Sequence, residues 1–565
     1  MCAPLFSVSV GSLEPTLVYV NGVVWLGARP GGSASGAPTA LAVAGGHVQA
    51  VGDDREIRSL AGPGTEVVDL GGRRVVPGLI DGHIHAVRAG PSWDRELHWT
   101  RVPDVPTALA RLRSVLPSYK PGEWIRAVGG WHPSQFSERR APTRQELDEV
   151  APDHPVYLQA LYEDAVLNSA ALRRSGIDGL GADPPGVSIE RDVAGRPTGR
   201  ISGVGAFSLC LEAWPGRAPD DERRSTAAML RDLHATGLAG LHDAGGFGMT
   251  PERYDALFEL WRREQLTMRL RLFLSAVDPG REFEQIEAWL RHAHRGFGDE
   301  MLRFAGIGEV VHFGCHDCEG LEPFEVTDGA RAELLRISWE TARRGWPMQI
   351  HAVLDSTVDA VLDCWETINA EVPIAPLRFS IAHVDRLGPR NIRRLRRLGV
   401  GVVLDDHLVL GAASSEAAWG PHALRSAPPV GYLLAGRVPI AAGTDATRAS
   451  SWNPWLSLWW LVAGRSLDGR PRRAPFHCLS REQALTAYTT GSAWLSFEEQ
   501  DRGHLHPGAR ADFAVLNQDY FTVAEEDIPG IGSDLTVVGG RVVWSSGTVT
   551  DASDVRLQAE PHPTH

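Results

Sequence analysis

Short apolar runs recur along the middle of the chain, at residues 75–85, 238–243, 268–276, 302–313, 347–351, 379–383, 399–405 and 439–445. Between several of them the apolar residues return every three or four positions, the helical period. Residues 223–236, 329–344, 356–368 and 390–398 have this pattern, with Leu334, Ile337, Ala342, Leu395 and Leu398 on apolar stripes. Strands alternating with helices predict a parallel sheet with crossover helices. Eight such units predict an α/β fold, a (β/α)8 barrel of the TIM type, over residues 76–504.

The two ends have a different texture. Residues 17–26 predict a hairpin with Asn21-Gly22 at the turn, and residues 40–51 repeat the style around Gly45-Gly46. Residues 511–516 and 535–544 match them at the far end. One small β-sandwich domain is therefore expected from both termini, residues 1–75 plus 505–550, with 551–565 as a frayed tail. Residues 87–221 follow the first barrel strand, are rich in Trp, Pro and Arg, and are too long for a loop. They predict an inserted lid or subdomain. The basic cluster from Arg386 to Arg397 is expected to be a solvated helix face.

Composition narrows the function. A net charge of −14 argues against a nucleic-acid or anionic-membrane partner. No apolar run reaches the ~18 residues of a membrane span. The first fifteen residues lack the basic and apolar regions of a secretory signal. Six cysteines are too few for a disulfide framework in a chain of 565 residues. A cytoplasmic location is expected.

The candidate chemistry sits at the ends of the runs. In His83-Ile84-His85 two imidazoles at i and i+2 share one face of a strand and can hold one metal ion. His351, His383 and Asp445 end three further runs, and in a barrel all strand ends converge on one mouth. Alone, each histidine is more often a satisfied core or surface residue. Nitrogen and carboxylate ligands suit zinc, with iron, manganese or nickel as alternatives.

The motifs resemble the amidohydrolase superfamily, within it the amidohydrolase-3 group of N-acyl and N-substituted-formamide hydrolases. Val76-Pro77-Gly78-Leu79-Ile80-Asp81-Gly82-His83-Ile84-His85 is similar to the family's first-strand motif, and Gly443-Thr444-Asp445-Ala446 to its last. The segments 484–489 and 507–513 resemble its C-terminal signature, and 141–148 and 168–172 the insertion peculiar to the group. The resemblance implies that His83, His85, His351, His383 and Asp445 are metal-site residues and that Asp445 shuttles protons. Relatives with two metals often carry a carboxylated lysine on strand four. Here Gly306-Ile307-Gly308-Glu309-Val310 has none, so either Glu309 bridges two ions or the site holds one. Glu163-Asp164 stands where relatives often show a histidine, and Leu354-Asp355 where they often show Gly-Asp.

A bound metal lowers the pKa of water and polarises a carbonyl. Asp445 is expected to move the proton to the leaving nitrogen, and His383, or His351 with one metal, to stabilise the oxyanion. Trp93, Trp131, His312, His316, Asp405, Asp406, His407 and Arg448 are candidate substrate contacts, Arg448 for a carboxylate. Trp452 and Trp455 also fall in expected mouth loops, and Trp459-Trp460 in the core. Cys315-His316-Asp317-Cys318 is read as a loop shaping the pocket rather than a zinc knuckle or redox dithiol. The expected activity is metal-dependent hydrolysis of a non-peptide C–N bond in a small organic molecule. Ester or lactone cleavage, deamination and a non-catalytic scaffold are the alternatives. Such barrels often dimerise, which leaves a homodimer among the expectations.

Overall fold

In the computed structural model, residues 14–28 and 37–549 are described. The expected tail 551–565 and the first residues of the N-terminal β segment lie outside them. Eight parallel strands carry the centre: β1 (Leu79–Ile84), β2 (Leu238–Asp243), β3 (Arg269–Leu274), β4 (Leu302–Ile307), β5 (Gln349–Ala352), β6 (Ser380–His383), β7 (Gly401–Leu404) and β8 (Ile440–Ala442). They form two sheets of order β4-β3-β2-β1 and β5-β6-β7-β8. A parallel bridge from Ile307 to Met348 links β4 to the residues entering β5. On the other side the Asp445 N–H donates to the His83 carbonyl at 2.8 Å, and the His85 N–H to the Ala446 carbonyl at 2.9 Å.

Helices cross between the strands: α1 (Pro219–His234), α2 (Asp255–Arg262), α3 (Glu282–His292), α4 (Asp328–Arg343), α5 (Asp355–Asn369), α6 (Pro389–Leu398) and α7 (His407–Trp419). Their local chemistry is legible. Thr327 caps α4 by accepting from the Ala330 N–H. Proline opens α6, and Gly399 closes it in the left-handed region at φ 68°. Leu334, Ile337, Leu395 and Leu398 are buried in one continuous core with the strands.

Three sequence expectations change. The run 75–85 is two strands: Arg74–Pro77 pairs with Phe513–Leu516 in another sheet, and only Leu79–Ile84 joins the parallel one. Asn21-Gly22 does not turn a hairpin. Leu17–Val20 pairs with 40–44 and 66–69, whereas Val23–Val24 pairs with Arg74 and Val75 in the neighbouring sheet, so the turn carries the chain between sheets. The basic cluster on α6 is only partly solvated. Arg394 is 5% exposed and paired with Asp359, Asp363 and Glu366 of α5.

Segments from both ends meet in these two terminal sheets, which share one apolar cluster containing Tyr19, Val43, Val75, Phe513 and Val537. Between β1 and β2 a separate five-stranded sheet forms, running from Ile125–Val128 to Pro197–Ser202, with apolar clusters of its own.

Candidate metal centre

His83, His85, Glu309, His351, His383 and Asp445 lie at or just past the C-terminal ends of β1, β4, β5, β6 and β8, and none is more than 7% exposed. Two glycines let the backbone close in around them. At Gly308 φ is 152°, and a Cβ would lie 2.0 Å from the Gln349 carbonyl oxygen. A Cβ on Gly443 would lie 2.4 Å from the His83 nitrogen. A side chain at either position would push Glu309 or Asp445 out of place.

Glu309 is the hub. Its carboxylate oxygens lie 3.3 Å from His83 Nε2, 3.3 Å from His85 Nε2, 3.4 Å from His383 Nε2 and 3.5 Å from His351 Nδ1. Asp445 Oδ1 is 3.1 Å from His85 Nε2 and 3.6 Å from His83 Nε2. The opposite nitrogen of each ring is engaged. His83 Nδ1 donates to the Gln349 side-chain oxygen and His85 Nδ1 to the Gly245 carbonyl, both at 2.8 Å. His351 Nε2 donates to the Cys318 carbonyl at 2.8 Å and lies 3.1 Å from Asp317. His383 Nδ1 lies 2.5 Å from Asp405. A carbonyl or carboxylate can only accept, so each outward nitrogen keeps its proton, and the inward nitrogen is the one that offers a lone pair once its own proton leaves.

That donor set fits a divalent cation. His83 Nε2 is buried with no hydrogen-bond partner, an orphan that a metal would satisfy. Two ligands at ~2.1 Å from one tetrahedral ion sit ~3.4 Å apart, the spacing found around Glu309. One Glu309 oxygen, Oε1, faces His85, whereas Oε2 faces His83, His351 and His383.

The electrostatics reflect crowding of carboxylates and imidazoles. Burial alone would raise Glu309, but the His83 charge and the bonds to the histidines hold it well below the carboxylate range. Asp445 is likewise held low, against its burial, by the bond to His85 and by His383 and His83. Burial and the nearby His383 work against charging His351, yet Asp317 and Glu309 push it up to about 9. Burial and the adjacent His351 push His316 down to about 3.

The other sequence candidates divide. His316 stacks on His351, rings 3.7 Å apart, and its Nδ1 accepts the Cys318 N–H. Arg448 is half-buried three residues past Asp445. Asp405 is 6% exposed and lies between two rings, 2.5 Å from His383 Nδ1 and 2.6 Å from His407 Nδ1. His407 is correspondingly engaged, its Nε2 3.1 Å from Asp385. Asp406 is fully buried, and that burial holds it well above the carboxylate range. Trp93 and Trp131 are core side chains. The Trp93 indole donates to Asp232 of α1, and Trp131 packs on Trp99 and Phe136 inside the inserted segment. His312 Nδ1 lies 2.9 Å from Glu282, the first residue of α3. His383 meets a carboxylate at each nitrogen, Asp405 at Nδ1 and Glu309 at Nε2. Trp455 is buried, donating to the Thr236 carbonyl.

Sequence reasoning missed Gln349 and Asp317. Gln349 stands two residues before His351 on the same strand face, a period-2 signal that was available. Asp317 lies inside the segment Cys315-His316-Asp317-Cys318, whose motif is set by its cysteines; the five cysteines described are all free.

The sequence profile of a family described as "Amidohydrolase family" matches residues 66–544. The chain is 29% identical over 504 residues to an N-substituted formamide deformylase of Arthrobacter pascens, covering 85% of this chain and 90% of that protein. It is 27% identical over 529 residues to protein LONG AFTER FAR-RED 3 of Arabidopsis thaliana, covering 89% and 88%. Its fold is similar to the crystal structure of an uncharacterized metal-dependent hydrolase from Pyrococcus horikoshii OT3, with TM-score 0.64 at 21% identity, covering 90% of this chain and 99% of that one.

Proposed function

The chain belongs to the amidohydrolase family and is a hydrolase of non-peptide C–N bonds, and on that premise we propose that it cleaves a small N-formyl or N-acyl amine at a divalent-metal centre. The observation that carries this is the convergence of four imidazole nitrogens on Glu309. The two Glu309 oxygens meet different rings, Oε1 His85 and Oε2 His83, His351 and His383, which favours two cation positions over one. His83, His85 and Asp445 would hold one, His351 and His383 the other, and Glu309 would bridge. Zinc is the first choice for this donor set, with iron or manganese next. The two parallel sheets are taken as the eight strands of one closed barrel, residues 76–504, with residues 87–221 as an insertion over its mouth. The terminal sheets, residues 1–75 and 505–550, would form a β-sandwich beside it.

A cation bound there would supply acidity to a water molecule and polarisation of the scissile carbonyl. The rest falls to side chains. Asp445, kept ionised at neutral pH, accepts the proton of the attacking water and passes it to the leaving nitrogen. An amine leaves only when protonated, so C–N cleavage depends on this transfer. His316, kept neutral by burial and with Nδ1 accepting the Cys318 N–H, retains an Nε2–H for the developing oxyanion. Among the described residues no helix is long and apolar enough to cross a membrane. A cytoplasmic location and a homodimer complete the proposal, the first supported by the free cysteines.

The test is dialysis against a chelator, reconstitution with zinc, manganese or iron, and assay on a panel of N-formyl and N-acyl amines. Hydrolysis should be lost on chelation, restored by metal, and reduced at least about 1,000-fold in kcat by Asp445→Asn. Reconstituted protein inert on the whole panel, or Asp445→Asn with full turnover, would refute the proposal.

A further inference from the structure

Many arginines of this chain are matched by carboxylates. In the interior Arg269 pairs with Asp512 and Arg271 with Glu498. Even exposed arginines of the insertion have acids, Arg140 with Glu146 and Arg196 with Asp192. Arg101 and Arg111, in the same insertion, differ. Arg111 Nη1 donates to the His98 carbonyl at 3.2 Å, and among the described residues neither guanidinium has a carboxylate partner. Both line one cavity of about 400 Å³.

Separate stretches of chain build that cavity. The insertion supplies Arg101 and Arg111, the loop after β8 supplies Trp452 and Asn453, and the C-terminal segment supplies Pro529 and Ile531. These walls are tied together. Thr100 Oγ1 donates to the Gly130 carbonyl at 3.2 Å and lies 3.0 Å from Ser451 Oγ, and Asn453 Nδ2 donates to the Pro529 carbonyl at 3.0 Å. Arg101 stands at φ 58°, in the left-handed region, and a Cβ on Gly530 would lie 3.8 Å from its Nη1. Its guanidinium therefore reaches from the insertion to the C-terminal segment. The rings of Trp93 and His98 lie 5.3 and 5.9 Å from that of Trp452 and fix its plane. Among the described residues no carboxylate lines the cavity, and neither does any residue of the metal centre. Glu525, Glu526 and Asp527, just before Pro529, are exposed and outside its walls.

In a chain of net charge −14, two cations facing one hollow without an acid are an uncompensated local charge. Low-dielectric walls focus the field of such a hollow, and an anion is what it attracts. A guanidinium fork matches a carboxylate in two parallel hydrogen bonds. Trp452, Pro529 and Ile531 offer apolar contact to the rest of such a molecule, in a volume that suits one ring. Inorganic phosphate would leave that apolar wall uncovered. We propose that this cavity binds a small organic carboxylate with an apolar body about the size of one aromatic ring, at a site apart from the metal centre. The site is independent of the proposed hydrolysis. Its ligand touches the insertion, the loop after β8 and the C-terminal segment at once, and so stabilises their docking.

The test is calorimetry of the full chain with 4-bromobenzoate, 4-bromobenzamide and inorganic phosphate. The carboxylate should bind about tenfold or more tightly than either of the others, the amide lacking the charge and phosphate the ring. Arg101→Met and Arg111→Met should each weaken it about tenfold, and Arg111→Lys should restore part of the loss, keeping the charge without the fork. Both arginines are exposed, so these variants keep the fold. Binding should raise the melting temperature, and should persist after the metal is removed by a chelator, which a carboxylate bound to the metal would not. In crystals soaked with 4-bromobenzoate, the bromine anomalous peak should lie among Arg101, Arg111 and Trp452. No binding, binding that ignores both arginine substitutions, equal binding of the amide or of phosphate, or bromine at the metal centre alone would each overturn the site.

Discussion

Replacing Asp405 with asparagine should loosen the metal centre without touching substrate. The carboxylate is buried and spans two imidazoles, 2.5 Å from His383 Nδ1 and 2.6 Å from His407 Nδ1, and accepts the His407 backbone N–H at 3.1 Å. Asparagine has the same shape but one acceptor oxygen. It can serve one ring and must turn its NH2 toward the other, setting donor against donor. The loss is one charge-assisted hydrogen bond plus one unsatisfied buried donor, together about 2–5 kcal/mol of folding stability. A histidine ligand freed from its carboxylate partner typically costs 10- to 100-fold in metal affinity or activity. Asp405→Asn should therefore lower the guanidinium unfolding free energy by about 2–5 kcal/mol. It should weaken zinc binding 10- to 100-fold in a chelator competition, and lower kcat more than it raises KM. A variant with wild-type metal affinity and kcat but a raised KM would show that Asp405 meets substrate, and the account of His383 would be wrong.

Metal uptake should be coupled to proton release. His351 is pushed up to about 9 in the metal-free protein, so a cation arriving at pH 7 must displace its proton. Calorimetry in buffers of different ionisation enthalpy should find at least about one proton released per protein, falling away above pH ~9. The same raised pKa sets the stability of the metal-free fold. It lies above the unfolded value of 6.5, so its contribution is complete below pH 6.5 and is lost as pH rises through about 9. The metal-free melting temperature should fall across that window, and a melting temperature that rises would contradict the assignment. Trp131→Ala should cost about 3–5 kcal/mol in denaturant unfolding, as for a fully buried indole; an effect confined to KM would return Trp131 to the pocket. Arg394→Met leaves Asp359, Asp363 and Glu366 facing one another and should destabilise by about 1–3 kcal/mol in denaturant unfolding; wild-type stability would refute it.

Periodicity located the parallel strands because they are buried on both faces and mostly apolar, with Asp81, Arg269, Arg271 and Arg303 the charges inside them. The residues at their ends, His83, His85, His351, His383 and Asp445, could be picked out because a polar group ending an apolar run is conspicuous. Glu309 was visible as a carboxylate near the right place, but its central position depends on Gly308 turning the chain after β4, and no periodicity records that. The candidates that moved did so for one reason. A sequence shows that Asp405, Trp93, Trp131 and His312 lie near strand ends or in long connections, but not which way each side chain turns. Asp405 turns to two rings, Trp93 to α1, Trp131 into the insertion's own core and His312 to α3. Asn21-Gly22 misled because a left-handed turn serves a crossing between sheets as readily as a hairpin.

The central claim is best tested by anomalous diffraction from crystals of the full chain grown with zinc, with data collected on both sides of the zinc absorption edge. The account predicts peaks within ~2.0–2.2 Å of His83 Nε2, His85 Nε2 and a Glu309 oxygen, with a second beside His351 Nδ1 and His383 Nε2. Crystals saturated with zinc that show no peak among these side chains would contradict it.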